Sequence, residues 1–171
     1  MGFYFSYILL IFYILGLALF VKKYSFFTSS KLSKNNIVFL AILKMIAGIL
    51  YVCLTAYQTN GGDIFEYFKD GNLIYDQLSV KPSNYFKLTF FPNNVAIPLG
   101  TETVIKEMGF WGDTGAYMLV RFNALVRLFS LGNIYIHSLF AGFLSFVGSF
   151  HLLKVFETQF KTSKIILYSI F

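Results

Sequence analysis

The sequence predicts an all-α, polytopic integral membrane protein, with three transmembrane helices, an incomplete fourth, and a helical extracytoplasmic loop between the second and third. Three observations predict it. Of 171 residues, 57% are hydrophobic and 13% charged, against about 25% charged in soluble globular domains, and a water-soluble globule would need a more polar exterior. Three windows, residues 3–21, 37–57 and 134–156, are apolar over the roughly 20 residues that carry a helix across about 30 Å of hydrocarbon. The lysines gather beside these windows and form no long basic run, so the net charge of +6 reads as a topology signal and speaks against nucleic acid as a partner. With Cys53 as the single cysteine, no internal disulfide and no Cys-x-x-Cys site can organise the fold.

The first window has no charged side chain before it, is followed by Lys22 and Lys23, and lacks a small-residue cleavage site. It is expected to be retained, with the N-terminus outside. The connection over residues 24–36 adds Lys31 and Lys34 and no acid, and the turn at 154–164 carries three lysines against Glu157, so both are expected in the cytoplasm. Within the second window, Lys44 is the one charge well inside a span. It either snorkels to the cytosolic headgroups or meets an anion in a cavity, and Ala47 and Gly48 leave room there for a partner helix. The third window carries Ala141, Ser145 and Ser149 at four-residue spacing, with Ser138 and Gly142 on a neighbouring stripe, a pattern that lets helices pack closely in lipid. His137 and His151 lie about 21 Å apart along that helix and cannot share a metal. A last apolar run, residues 165–171, starts a fourth span, and the chain is expected to be the N-terminal portion of a longer protein. The organisation is thus 1–57, two spans with a basic connection; 58–133, the external loop; and 134–171, the third span and the start of a fourth.

Seven of the eight acids fall in the external loop. Its first helix is announced by Gly61-Gly62-Asp63-Ile64-Phe65-Glu66, where Asp63 and Glu66 are spaced as a capping box. Ile64, Phe68, Gly71, Tyr75 and Leu78 share one face, and Asp63, Glu66 and Asp70 converge on the other. Such a face is either simply solvated or supplies a general base or metal ligand. Pro82, Pro92 and Pro98 forbid a continuous helix over 80–100, and Tyr85, Phe86, Phe90 and Phe91 suit either the headgroup level or the wall of a substrate groove. The second helix runs from an Asp113-Thr114 cap to Leu131, with Gly132-Asn133 as its stop. Arg121 and Arg127 on it bind headgroups or hold a phosphate of a lipid-linked substrate.

No phosphate-binding glycine loop, nucleophile elbow, zinc-protease signature or EF-hand occurs, and there is no internal repeat. The two helices flanking a Pro-broken segment, carried by Gly62-Asp63-Ile64-Phe65-Glu66-Tyr67-Phe68 and Leu119-Val120-Arg121-Phe122-Asn123-Ala124-Leu125, resemble the first external loop of the polytopic GT-C glycosyltransferases that use polyprenyl-phosphate sugars. That resemblance implies an inverting sugar transfer in envelope glycan assembly, in a bacterial inner membrane. Asp63, with Glu66 near it, would deprotonate the acceptor or hold a divalent metal, and Arg121 or Arg127 would meet the phosphate leaving group. The implied partners are the bilayer, a lipid-linked sugar and other transmembrane helices. Two further classes fit the residues: a non-catalytic membrane component or fragment, and a transporter or lipid-handling protein in which Lys44 and the arginines guide an anionic substrate.

Overall fold

A computed structural model describes residues 3–59, 62–93, 97–159 and 169–171. The described residues are helical, with no strand. They form two compact units: Met1–Tyr51 with Ser138–Phe171, and Val52–His137.

The first unit holds α1 (Phe3–Lys23), α2 (Ser25–Thr28), most of α3 (Lys34–Thr59) and most of α8 (Ile134–Gln159). Met1–Tyr51 and Ser138–Phe171, parts of segments expected to be separate, form one unit in which α3 and α8 are antiparallel neighbours. A Cβ on Gly142 would stand 2.5 Å from the Lys44 carbonyl oxygen and 3.0 Å from the Met45 Cα, and one on Gly48 would stand 2.5 Å from the Ser138 carbonyl oxygen. Backbone touches backbone at both crossings, which only glycine permits. The stripe that packs is therefore Ser138 and Gly142, both buried, while Ala141 and Ser145 are exposed. Away from this crossing, Phe27, Phe146 and Phe150 form an aromatic core with Val21, Ile37, Leu40 and Leu153.

The two basic connections meet at Glu157. Its Oε1 accepts from Ser30 Oγ at 2.6 Å and from the Lys31 backbone amide at 2.8 Å, and Lys154 Nζ lies 3.5 Å from its Oε2. Lys154 also donates to the Ser29 carbonyl. One carboxylate thus ties the start of α3 to the end of α8.

Two helical stretches, Lys34–Gln58 and Ile134–Gln159, are long and apolar enough to cross a membrane, and only 28% of each apolar window is buried within the protein. A core helix of a soluble protein would be covered on most sides. Here Phe39, Leu43, Leu50 and Leu54 on α3, and Leu144, Leu152 and Val155 on α8, are exposed. The first apolar window forms α1, 21 residues or about 32 Å long. Of the final run, residues 165–168 lie outside the described residues, and Phe171 packs on Phe146.

The second unit contains α4 (Gly62–Val80), α5 (Pro82–Phe90), α6 (Glu102–Glu107) and α7 (Thr114–Ser130). At α7 the sequence reading and the structure coincide closely: Asp113 caps it, Oδ1 accepting from the Gly115 and Ala116 amides at 2.9 and 3.0 Å, and Leu131 and Gly132 end it with φ of 50° and 82°. The prolines act as expected. Pro82 opens α5 after an extended Lys81, and Phe91, extended before Pro92, closes it. The helix between them was not legible, and neither was α6.

Helix α4 crosses α7 at Gly71, where a Cβ would lie 2.8 Å from Asn123 Cβ and 3.1 Å from the Ala124 amide. Ile74, Leu88, Tyr117, Val120 and Ala124 make the core over this crossing. The start of α4 departs from the capping box. The helix begins at Gly62, so Asp63 falls inside the first turn, and Glu66 pairs with Lys69 at 3.5 Å instead of reaching back.

Candidate functional site

The crossing of α4 and α7 leaves the last two turns of α7 beside Phe68 and Tyr75, and these turns carry the polar residues. Arg127 sits with its guanidinium carbon 5.4 Å from the Phe68 ring centre and 5.3 Å from that of Tyr75. On a third side is Gly132, where a Cβ would come within 3.0 Å of both Nη atoms. The φ of 82° and this proximity both call for glycine there. Aromatic faces attract a guanidinium but accept few of its hydrogen bonds. Nε and Nη1 of Arg127 are buried and have no partner. Burial lowers the Arg127 pKa, against the pull of Asp76 and Tyr75, but a guanidinium stays charged in proteins. The result is a cation two of whose nitrogens, Nε and Nη1, are buried without an acceptor.

Beside it, Ser130 Oγ lies 2.6 Å from His137 Nε2, and His137 Nδ1 lies 2.8 Å from Asn123 Oδ1. Asn123 and Ser130 are seven residues apart on α7 and so share a face. The two-residue turn of Gly132 and Asn133 folds the first turn of α8 back onto that face, and Asn133 holds it by accepting from the Tyr135 amide at 2.8 Å. The Phe68 ring meets the imidazole edge to face, at 4.9 Å between centres, and the Arg127 guanidinium lies over the same ring.

Arg121 is used differently. Its guanidinium lies 4.7 Å over the Tyr117 ring, Nη1 reaches Met118 Sδ at 3.8 Å, and Nη2 donates to the Phe91 carbonyl. Tyr117 donates to the Leu88 carbonyl at 2.8 Å, and burial, opposed by Arg121, pushes its phenol well above the usual range. Together they lash the end of α5 to α7. Arg121 Nε is nonetheless buried and unpaired.

The three acids expected to converge on α4 do not. Asp63 and Glu66 are exposed, and Asp63 makes no hydrogen bond or ion pair among the described residues. Asp70 is fully buried, its Oδ2 accepting from the Phe110 amide at 2.9 Å and its Oδ1 without a partner. Helix α4 is covered on two sides, by α7 and by the connection before it, so its buried sector is wider than one hydrophobic stripe implies. Among the described residues no three His, Cys, Asp or Glu side chains are grouped so as to hold a metal ion. Lys44 belongs to the first unit and makes no hydrogen bond or ion pair among the described residues.

Fold and site define an all-helical chain with two membrane-length apolar helices and a helical unit built round an incompletely paired arginine. No protein family matches the chain, and no curated protein or solved structure is significantly similar to it.

Proposed function

We propose that the chain is an integral membrane protein that takes part in transferring a sugar from a polyprenyl-phosphate donor at the outer face of a bacterial inner membrane, as the likeness to the GT-C glycosyltransferases implies. In this reading α1 is a third span, with the N-terminus outside. The meeting of both basic connections at Glu157 supports placing them on one side, and antiparallel spans then return residues 58–133 to the other.

The observation that carries the reading is the pair of buried, unpartnered N–H groups on Arg127. A buried donor without an acceptor costs about 1–3 kcal/mol, and a phosphate oxygen removes that cost with charge-assisted bonds. Asp63, exposed and unbonded at the start of α4, is free to take a proton from an acceptor hydroxyl, and Glu66 beside it is occupied by Lys69.

Decyl phosphate added to the full chain in neutral-lipid nanodiscs tests the anion site. At about 100 times its dissociation constant it is expected to stabilise the wild type by about 2.7 kcal/mol and to leave Arg127→Met unchanged. Equal stabilisation of both, or none of the wild type, contradicts the assignment.

A further inference from the structure

We infer that Ser130, His137 and Asn123 form a second catalytic site, one that transfers or hydrolyses a carboxylic ester of an apolar chain. The inference is independent of the sugar-transfer reading, although both use the charge of Arg127.

The proton positions follow from the hydrogen bonds. Asn123 Nδ2 donates to the Leu119 carbonyl at 2.8 Å, which leaves Oδ1 facing the imidazole. An amide oxygen only accepts, so Nδ1 of His137 carries the ring proton. A buried imidazole with no carboxylate against it stays uncharged, and Nε2 is then a bare acceptor. The Ser130 hydroxyl, 2.6 Å away, donates to it. Nucleophile, base and orienting group are thus in the tautomer and order that serine activation requires.

Two further features sit at the same corner. Leu131, next to Ser130, is the one non-glycine residue with a left-handed backbone among the described residues, at φ 50°, and strain of this kind gathers at functional sites. The Gly132 amide donates to Ser130 Oγ at 3.4 Å, and the same glycine abuts the Arg127 guanidinium, whose Nε and Nη1 are unpartnered. Arg127 is therefore the donor at hand for a developing oxyanion, and the long Gly132 bond is one that a substrate oxygen can replace. The surroundings select the substrate class: the Phe68 ring lies on the imidazole, and Leu128, Phe129 and Leu131 are exposed around Ser130.

In the reaction, Ser130 Oγ adds to the ester carbonyl carbon while its proton passes to His137 Nε2. The carbonyl oxygen takes up the negative charge beside Gly132 and Arg127. The ester C–O bond then breaks, and Nε2 returns the proton to the departing alkoxide. Water attacking the acyl group on Ser130, with His137 again as base, completes hydrolysis. Ser130 is 1% and His137 4% exposed, so both the apolar chain and the hydrolytic water must reach Oγ through a local opening, and exposed Leu131 beside Ser130 marks the nearest apolar surface.

A long-chain alkyl fluorophosphonate, added to the full chain in nanodiscs, reads the nucleophile directly. Oγ bonds to phosphorus, fluoride leaves and the proton goes to Nε2. The expected result is an adduct on Ser130, located by mass spectrometry in the tryptic peptide of residues 128–154, lost in Ser130→Ala and formed roughly 100-fold more slowly in His137→Gln. No adduct on Ser130 in the wild type overturns the inference whatever the variants do, and so does labelling of His137→Gln at the wild-type rate. Stabilisation by decyl phosphate without an adduct on Ser130 would keep the anion site and overturn the nucleophile.

Discussion

Asp63→Asn in the full protein is expected to abolish sugar transfer, by roughly 100- to 10,000-fold, and to leave membrane abundance unchanged. The side chain is exposed and bonded to nothing among the described residues, so removing its charge breaks no structural contact. Its place in the first turn of α4 favours a carboxylate by the helix dipole, an effect worth about 0.3–1 kcal/mol, too little to unfold the unit. Glu66→Gln is the matched control. Its exposed pair with Lys69 contributes about 0.3–0.5 kcal/mol, and activity should stay near the wild-type level. Full transfer by Asp63→Asn, measured on the same membranes, removes Asp63 from the role of base.

Gly142→Leu is expected to have the largest structural effect. The first side-chain carbon would meet the Lys44 carbonyl oxygen at 2.5 Å, and backbone cannot swing aside as a flexible side chain can. Overpacking of this kind costs about 1–3 kcal/mol or more, and the loss falls where the α3 and α8 backbones touch. Gly148 on the same helix has nothing within 4 Å of a Cβ, so Gly148→Leu should behave as wild type. Folded yield and thermal midpoint in detergent distinguish the two. Equal midpoints for both variants would mean that the close crossing is not what holds these helices.

The helices were legible where one local signal decided them. Asp113, Gly132 and the apolar run between them set α7 without help from the rest of the chain, and the face of Phe68, Gly71 and Tyr75 is the one that meets α7. The small-residue pattern in α8 announced close packing, but two stripes competed for it. Which one packs depends on where Gly48 falls on α3, a long-range fact. Asp70 was misjudged for the same reason: its burial comes from Phe110, forty residues away, and nothing in the periodicity of α4 shows that contact. The capping box at Asp63 failed because the helix starts two residues before the Ile64 start that the box implies, at Gly62, whose positive φ of 55° suits glycine.

Arg121 and Arg127 stood alike in the sequence as candidate phosphate ligands, and their surroundings separate them. Arg121 finds the Phe91 carbonyl, and Arg127 finds only rings and a glycine. The relay of Asn123, Ser130 and His137 was missed although part of its signal was present. Two polar residues seven apart on an apolar helix share a face, and a two-residue stop forces the next helix to turn back on it. The histidine spacing along α8 speaks only to a shared metal, whereas the partners of His137 lie across the turn on α7.

In the proposed topology residues 58–133 face the outside of a membrane and the basic connections face the cytoplasm. Ser83, exposed in the first turn of α5, and Lys31, exposed between α2 and α3, report on the two sides. In a Cys53→Ser background, Ser83→Cys should react with a membrane-impermeant maleimide on intact cells, and Lys31→Cys only after permeabilisation. Labelling of Ser83→Cys that requires permeabilisation, or recovery of the protein outside the membrane fraction, would contradict the account.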